Sequence, residues 1–238
     1  MHPFQVQADC HLRPATEDDM EGVAAIYNHE VEQSYKVFDT QPVSIQHFHT
    51  LLKACQAQKR PFIVAAEGRH NSEHGTSRQR ILGFCLVDAL QRGIAGSYVT
   101  SAERCGKVTV VVHPDWRQKR IGTALIDVIL YCCSNQYPPK GGYQWVCDPD
   151  DLTHTEPAYN PRRWCILQMD VLVKSGPTKR AVQNSAEYQW IFEFLEAKFN
   201  LQLLKHDQYV CFVSQKPMIH NQWLDRLVFE HRCRQYGT

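Results

Sequence analysis

A cluster of basic residues beside a glycine, at the start of a predicted helix, is the part of this sequence that could bind a phosphorylated molecule. Arg117, Lys119 and Arg120 lie within four residues, and Gly122 follows shortly after. The next stretch, 124–130, is almost entirely apolar and predicts a helix buried on most sides. A helix N-terminus presents unpaired N–H groups and the positive end of the helix dipole, and glycine lets the backbone approach an anion. The spacing therefore indicates a phosphate-binding turn.

The segment before this cluster predicts the element that positions it. Residues 108–112 read Val-Thr-Val-Val-Val, a β-branched run that favours a strand covered on both faces. Pro114 then ends the strand, because proline lacks the N–H that a sheet requires. Neither the Walker phosphate loop nor the three-glycine dinucleotide fingerprint occurs in the chain. A basic turn that only caps an ordinary core helix remains an alternative at this level.

The composition limits the classes of protein to which the chain could belong. Its 238 residues, with 43% hydrophobic content, can bury the core of one large domain. The net charge of +1 gives no overall basic field, so we expect no nucleic-acid partner. The ten cysteines include no Cys-x-x-Cys pair and the histidines show no ligand spacing, so we expect reduced thiols and no metal. Without a signal peptide or a membrane-length apolar run, we expect a cytoplasmic protein, or a nuclear one, and no membrane contact.

The order of predicted elements indicates a mixed α/β fold, in which helices and a largely antiparallel sheet are combined as in the α+β class. Two helices follow a short first strand, a hairpin leads to the central strand and the phosphate turn, and further strands flank a late helix. Helices are expected from about positions 16, 44, 121 and 185, and strands at 11–14, 62–66, 81–87, 108–112, 143–147, 164–173, 201–204 and 226–230.

The phosphate turn resembles that of a known superfamily. The pattern Arg117-x-x-Arg120-x-Gly122 is similar to the Arg/Gln-x-x-Gly-x-Gly/Ala pyrophosphate loop of the GNAT acyl-CoA-dependent N-acyltransferases. Arg120 stands where that family usually has its first glycine, and a side chain there restricts positive φ but adds a cation. The opening segment, 13–38, resembles phosphinothricin-acetyltransferase-like members, as does Asn221-Gln-Trp-Leu-Asp225 near the end.

The resemblance implies the GNAT fold, a central mixed, mostly antiparallel sheet flanked by helices. It covers about residues 11–134 and, more weakly, 185–231, which we take as the core of a single acetyltransferase domain over 1–238. Residues 135–184 have no clear counterpart and are interpreted as a divergent insertion or an acceptor-side loop. A homodimer is a further implication of the resemblance.

Acetyl-CoA is the cosubstrate that the resemblance implies. Strand residues would bind the pantetheine arm through their backbone, as an added strand does, and the turn would wrap the pyrophosphate. The residues expected to do so are Val110, Val111, Val112, Arg117, Gln118, Lys119, Arg120, Ile121, Gly122 and Thr123.

The catalytic groups of the family are not all matched in this chain. Related enzymes often place a glutamate base where this sequence has Lys107. Glu103 is then the nearest carboxylate that could act as a base, directly or through water, although it could also be a solvated loop acid. The usual tyrosine acid of the late helix is replaced by Leu195. His113 is a further candidate base, although a histidine just before a turn proline is more often a polar turn residue. Direct attack by a neutral amine on the thioester would need no covalent enzyme intermediate.

The acceptor side is expected to comprise Asn28, Phe38, Trp223 and Asp225, where an aromatic wall with a few polar groups suits a small amine or amino acid. The polar and aromatic members could equally be ordinary helix-face and strand residues. The predicted function is N-acetylation of such an acceptor. Two alternatives stay open: acetylation of a protein or peptide, with 135–184 shaping a groove, and acyl-CoA binding without catalysis.

Overall fold

A single mixed sheet forms the centre of the molecule in the computed structural model, which describes residues 6–68, 79–90, 104–155, 164–214 and 221–233. Within these ranges the strands are β1 (Cys10–Pro14), β2 (Phe62–Glu67), β3 (Ile81–Ala89), β4 (Cys105–Val112), β5 (Gln144–Trp145), β6 (Ile166–Lys174), β7 (Gln202–Val213) and β8 (Gln222–Arg232). They lie in the order β5-β1-β2-β3-β4-β6-β8-β7. Only the β1–β5 and β4–β6 neighbours run parallel. The predicted mixed, mostly antiparallel sheet is thus confirmed.

Helices cover both faces of the sheet. They are α1 (Met20–Gln33), α2 (Ile45–Ala57), α3 (Ile121–Cys133), α4 (Lys179–Gln183) and α5 (Ala186–Phe192), the last continued by a π-helical turn over Glu193–Ala197. One core cluster joins α1 and α2 to β2 and β3, and the other joins α3 and α5 to the opposite face. The short α4 was not predicted. None of the helices in the described ranges is long and apolar enough to cross a membrane.

Helix α3 is buried on most sides, as its sequence predicts. Every residue of the helix except Gly122 and Tyr131 is buried. Each aliphatic side chain removed from water in this way contributes about 1.5–3 kcal/mol. Burial also raises the pKa of the neighbouring thiols of Cys85, Cys132 and Cys133, so these cysteines behave as small apolar residues. The helix that carries the phosphate turn is therefore firmly anchored.

The two halves of the sheet meet at a short junction between β4 and β6. These strands pair only from Cys105 to Lys107, whereas β3 stays paired with β4 as far as Val112. At the junction lies Gly106, where an added Cβ would come within 2.3 Å of a Val87 methyl carbon and 2.7 Å of the Trp164 ring. A glycine is thus required for the two halves to approach. Beyond the junction the sheet opens between β4 and β6.

Part of the segment interpreted as an insertion, 135–184, belongs to the sheet. It supplies β5 at one edge and β6 beside β4. The loop before β5 is held by Asp127 of α3, whose buried carboxylate accepts hydrogen bonds from the hydroxyls of Tyr137 and Tyr143. The same carboxylate accepts bonds from the backbone N–H groups of Lys140 and Gly141 at 3.0 and 3.2 Å. The segment is anchored from its first residues onward.

The start of α1 is tied to β1 by a buried ion pair. Arg13 donates two hydrogen bonds to the Asp19 carboxylate at 2.6 and 2.7 Å, and the backbone N–H of Thr16 donates a third at 2.8 Å. Burial alone would favour the neutral acid, but the hydrogen bonds from Arg13 and Thr16 outweigh it and hold the pKa of Asp19 below its usual value.

We expect Asp19→Asn to lower the free energy of unfolding by about 2 kcal/mol at neutral pH, because charge-assisted hydrogen bonds are lost. A carboxyl with a lowered folded-state pKa stabilises the protein above its unfolded pKa of about 3.9, and that contribution disappears as the pH falls through the folded value. Urea unfolding of both proteins at neutral and acidic pH measures the difference. An equal gap at both pH values would contradict this account.

Candidate active site

The open edge of β4 is suited to bind an extended ligand through its backbone. Successive residues of a strand direct their N–H and C=O groups to alternate sides. Beyond Lys107, the side of β4 that faces away from β3 has no β6 partner in the described pairing. This stretch includes Val110, Val111 and Val112, the residues predicted to bind the pantetheine arm. Val111 is buried and the other two are partly buried, so their side chains serve the core while the backbone edge remains available.

The turn between β4 and α3 adopts the backbone shape of a glycine-rich anion loop without the first glycine. Gln118 and Arg120 both have φ of 62°, in the left-handed region. The expected restriction at Arg120 is therefore overcome, at a cost of about 1–2 kcal/mol per residue. Helix α3 makes its first backbone bond from Ala124 to the Arg120 carbonyl, at 2.9 Å. The N–H groups of residues 121–123 thus precede the helical ladder, at the positive end of the dipole.

The three basic side chains of the turn have different partners. Arg117 forms an ion pair with Glu30, a buried carboxylate of α1 that also accepts a hydrogen bond from Ser34 at 2.7 Å. The ammonium of Lys119 lies 4.0 Å from the centre of the Trp116 ring. Arg120 donates to the backbone carbonyl of Val6 at 3.2 Å. The predicted basic residues therefore surround the helix start, with Arg117 fixed by α1 and Arg120 at its exposed rim.

A cavity of about 430 Å³ lies against the opening of the sheet. Its walls come from β3, β4 and β6 and from α1, α2 and the loop between them. Charged side chains in its lining include Asp88, Lys107 and Asp170, and Phe38 is part of the wall. The cavity thus adjoins the same stretch of β4 whose backbone edge is free of β6.

Lys107 is the best-defined charged group of this cavity. Its ammonium lies 2.7 Å from a carboxylate oxygen of Asp170 and 4.9 Å from the centre of the Phe38 ring. Asp88 is its direct partner across the β3–β4 pair, and Arg226 lies 3.9 Å from the same Asp170 oxygen. Lys107 was recognisable from the sequence as a departure from the family pattern, whereas Asp170 was not. Only the parallel pairing of Lys107 with Gln168 brings that carboxylate into reach.

The loop that carries Phe38 is held in place by α1. The side-chain amide of Asn28 donates to the Val43 carbonyl at 2.9 Å and accepts from the Val43 N–H at 2.7 Å. Tyr27 donates a short hydrogen bond to Asp39. Burial and this carboxylate raise the pKa of Tyr27, which makes it a poor proton donor. The structure therefore places Phe38 in the cavity wall and shows Asn28 bracing its loop.

The remaining acceptor-side predictions lie apart from this cavity. Trp223 is 46% exposed on β8 and packs against Tyr209 and Phe212 of β7. Asp225 is fully buried and accepts hydrogen bonds from Ser175, from the backbone of Tyr209 and from the ring of His206. Neither residue contributes to the cavity lining, so their roles toward an acceptor stay predictions. The homodimer implied by the resemblance also stays a prediction.

The residues that the sequence offers as general acids or bases do not lie together in the described structure. Glu103 lies outside the described residues, so its role as a base stays a prediction. Leu195 is buried in the core beneath the sheet and offers no acid. His113 lies at the far end of β4 from Lys107, and burial together with the charge of Arg80 lowers the pKa of its ring. In the described part of the chain, no group of three or more histidine, cysteine or acidic side chains could hold a metal ion.

The sequence was compared with family models and with known proteins. No family model matches the sequence. An N-acetyltransferase from Streptomyces griseus is 28% identical over 148 residues, which cover 62% of this chain and 70% of that protein.

Solved structures provide a second comparison. A GNAT superfamily phosphinothricin acetyltransferase from Sinorhizobium meliloti, determined in complex with acetyl-CoA, superposes with a TM-score of 0.60 at 13% identity, covering 97% of this chain and 95% of that one. An N-acetyltransferase from Staphylococcus aureus Mu50 gives a TM-score of 0.60 at 14% identity, covering 95% and 100%. The chain therefore has the GNAT fold and is similar in sequence to an N-acetyltransferase, which confirms the resemblance that its motifs carry.

Proposed function

We propose that this protein is an acetyl-CoA-dependent N-acetyltransferase that acetylates a small amine or amino acid. The observation that supports it most directly is the continuity of three features: the left-handed turn at the start of α3, the edge of β4 beyond its described pairing with β6, and the cavity that runs along that edge as far as Lys107. A phosphate group, an extended amide-bearing arm and a reacting acyl group require these features in this order.

Each part of the site has a distinct task in this function. The N–H groups of residues 121–123, with Arg120 beside them, would hold the pyrophosphate. The main-chain groups of Val110 to Val112 would pair with the pantetheine arm and direct the thioester toward Lys107. Acetyl-CoA supplies an activated acyl group, so the protein needs to orient an amine and stabilise developing charge.

The size of the cavity favours a small acceptor. Its volume of about 430 Å³ lies in the range of pockets that bind small molecules, about 300–1,000 Å³, and the part along Val110 and Val111 would be filled by the pantetheine arm, which leaves room only for a small acceptor. Both signs of charge occur on its walls: Lys107 pairs with Asp170, and Asp88, which forms an ion pair with the buried Arg60, lies beside Lys107 across the β3–β4 pair. An acceptor that carries both an amine and an acid would find complementary groups there. Phe38 would cover the bound acceptor with its ring.

Isothermal titration calorimetry with acetyl-CoA tests the cofactor assignment. We expect Arg120→Glu to raise the Kd at least about tenfold, because it reverses a charge beside the helix N-terminus. Gly122→Trp should have a similar effect, since its side chain would occupy the space over the turn. Lys53→Glu, on the exposed face of α2, is the control for a simple change of charge and should bind like the wild type. Unchanged affinity in both turn variants would refute the cofactor site.

Thiol release with a panel of acceptors tests the reaction itself. We expect amino acids and small amines to support turnover and peptides to be poor acceptors, given the cavity volume. Turnover with peptides alone would favour the protein N-acetyltransferase alternative. Tight acetyl-CoA binding without turnover on any acceptor would favour a non-catalytic binding protein.

A further inference from the structure

The Lys107–Asp170 pair spans the point where the sheet opens. Lys107 is the last β4 residue that pairs with β6, and Asp170 lies two residues beyond its partner Gln168 on β6. The ion pair, at 2.7 Å, therefore bridges the first part of the opening, where backbone pairing has ended. Asp170 is only 10% exposed, and Lys107 is 35% exposed toward the cavity. We call the opening between β4 and β6 beyond Lys107 the slot. The Lys107 ammonium is thus held at its inner end.

The length of β4 places this ammonium beside the reacting group. A strand rises about 3.3 Å per residue, so the stretch from Val112 back to Lys107 spans roughly 17 Å. This is enough for an extended arm with two amide groups that starts at the phosphate turn. The sulfur end of the arm would then lie at the inner end of the slot, next to Lys107.

Other groups near the cavity are poorly suited to stabilise a negative charge there. Tyr27 donates its hydroxyl hydrogen to Asp39, and its pKa is raised by burial and by that carboxylate. Lys36 is half exposed, and its ammonium lies 3.5 Å from Glu187 of α5. By the resemblance, Leu195 stands where the family usually has its tyrosine acid, and it lies in the core outside the lining of this cavity. Of the lysines that line the cavity, Lys107 is the one fixed by a nearly buried partner.

We propose that Lys107 is a catalytic cation, which stabilises the negative charge that forms on the thioester oxygen and on the departing sulfur, and that Asp170 positions it. This inference rests on the proposed acetyl transfer. It would also account for a cation at the position where, by the resemblance, related enzymes often place a glutamate base. Lys107 acts by its charge, since the ion pair with Asp170 requires its ammonium form.

The step is balanced without a further reactant. The neutral nitrogen of the acceptor forms a bond to the carbonyl carbon, and the C=O electron pair moves to oxygen. When the carbonyl re-forms, the C–S bond breaks and its electron pair leaves on sulfur. Water takes the proton that the nitrogen loses and returns one to the thiolate. Lys107 keeps its protons and stabilises both anionic atoms.

The pKa of bound CoA tests the proposal without an acceptor. Calorimetry first establishes that CoA binds. Carbon NMR of CoA labelled at the carbon attached to sulfur then follows the thiol alone, separately from the ten cysteines of the protein. We expect the bound thiol to titrate about 1–3 pH units below free CoA in the wild type, because an ammonium lies close to it. Lys107→Met should restore the free value, and Lys107→Arg should retain most of the shift.

Kinetics provide the second readout. Lys107→Met should lower kcat about 10²-fold, with little change in the KM for acetyl-CoA, since the charge acts after binding. Asp170→Asn should cause a smaller loss of kcat, because the ammonium remains but is no longer held. Lys205→Met removes another ion-paired lysine, 2.8 Å from Asp207 and outside the cavity, and should match the wild type.

The outcomes separate this inference from the proposed function. If CoA binds to the wild type but its thiol titrates as in free solution, the role of Lys107 is refuted while the acetyltransferase assignment stands, and this result needs no variant to fold. If CoA does not bind at all, both fail. An equal loss of kcat in Lys107→Arg and Lys107→Met would also overturn the role of the charge.

Discussion

Replacing Asp127 with alanine is expected to lower the free energy of unfolding by about 4 kcal/mol or more, the largest effect of any polar substitution that we foresee. Two tyrosine hydroxyls and two backbone N–H groups donate to this buried carboxylate. A buried donor left without an acceptor costs about 1–3 kcal/mol. Burial and the carboxylate raise the pKa of Tyr137 and Tyr143, so both remain protonated donors. Differential scanning calorimetry should record a fall in Tm of roughly 10 °C.

Two further variants determine whether the hydrogen bonds cause this loss. Asp127→Ala should cost less in a protein that already carries Tyr137→Phe and Tyr143→Phe, because two of the donors are gone. Asp150→Ala removes an exposed carboxylate from the same chain segment and should change Tm by little. A cost below about 1 kcal/mol for Asp127→Ala would contradict the structure of this network.

Gly106→Val is expected to destabilise the junction between the two halves of the sheet by about 3 kcal/mol. Even the Cβ of alanine would come within 2.3 Å of Val87, 2.7 Å of Trp164 and 3.1 Å of Leu167. These neighbours are buried side chains of both halves, so relief requires β4 and β6 to separate. Such a shift would also alter the slot in which we place the acyl arm. We therefore expect weaker acetyl-CoA binding together with a lower Tm.

The control for this prediction is another glycine of the same region. A Cβ added at Gly122 would meet only a Val112 methyl carbon at 3.4 Å, an ordinary contact. Gly122→Ala should therefore keep or slightly raise Tm, since alanine favours a helix more than glycine does. Urea unfolding of Gly106→Ala, Gly106→Val and Gly122→Ala should give a graded series. Equal stability of all three would show that the contacts around Gly106 are not tight.

The elements with strong local patterns were predictable from the sequence. The β-branched run of β4, the apolar run of α3 and the Ser44 start of α2 all appear where expected, and Ser44 accepts a hydrogen bond from the His47 N–H. The lengths of the last two strands were underestimated, since β7 and β8 reach 12 and 11 residues. Much of β7 is polar and exposed, so its sequence lacks the hydrophobic pattern that predicts a strand. Their pairing with each other, rather than local hydrophobicity, extends them.

The site was predictable only where its residues are close in sequence. The phosphate turn and Phe38 follow from neighbouring residues, whereas the contact of Lys107 with Asp170 depends on a parallel register between distant strands. The left-handed conformation of Arg120 was unexpected as well. Its cost is offset by the packing of the buried α3, which fixes where the turn must end.

The three-residue junction between β4 and β6 also has a consequence for the order of folding. Cys105 and Ile166 lie about 60 positions apart, so their pairing closes a loop about as long as the one between β6 and β8, but it gains only three residue pairs where β6 and β8 gain nine. Each half of the sheet can therefore form before the halves join. The slot in which we place acetyl-CoA is completed in that last step, and weakening the junction should accelerate unfolding more than it slows folding.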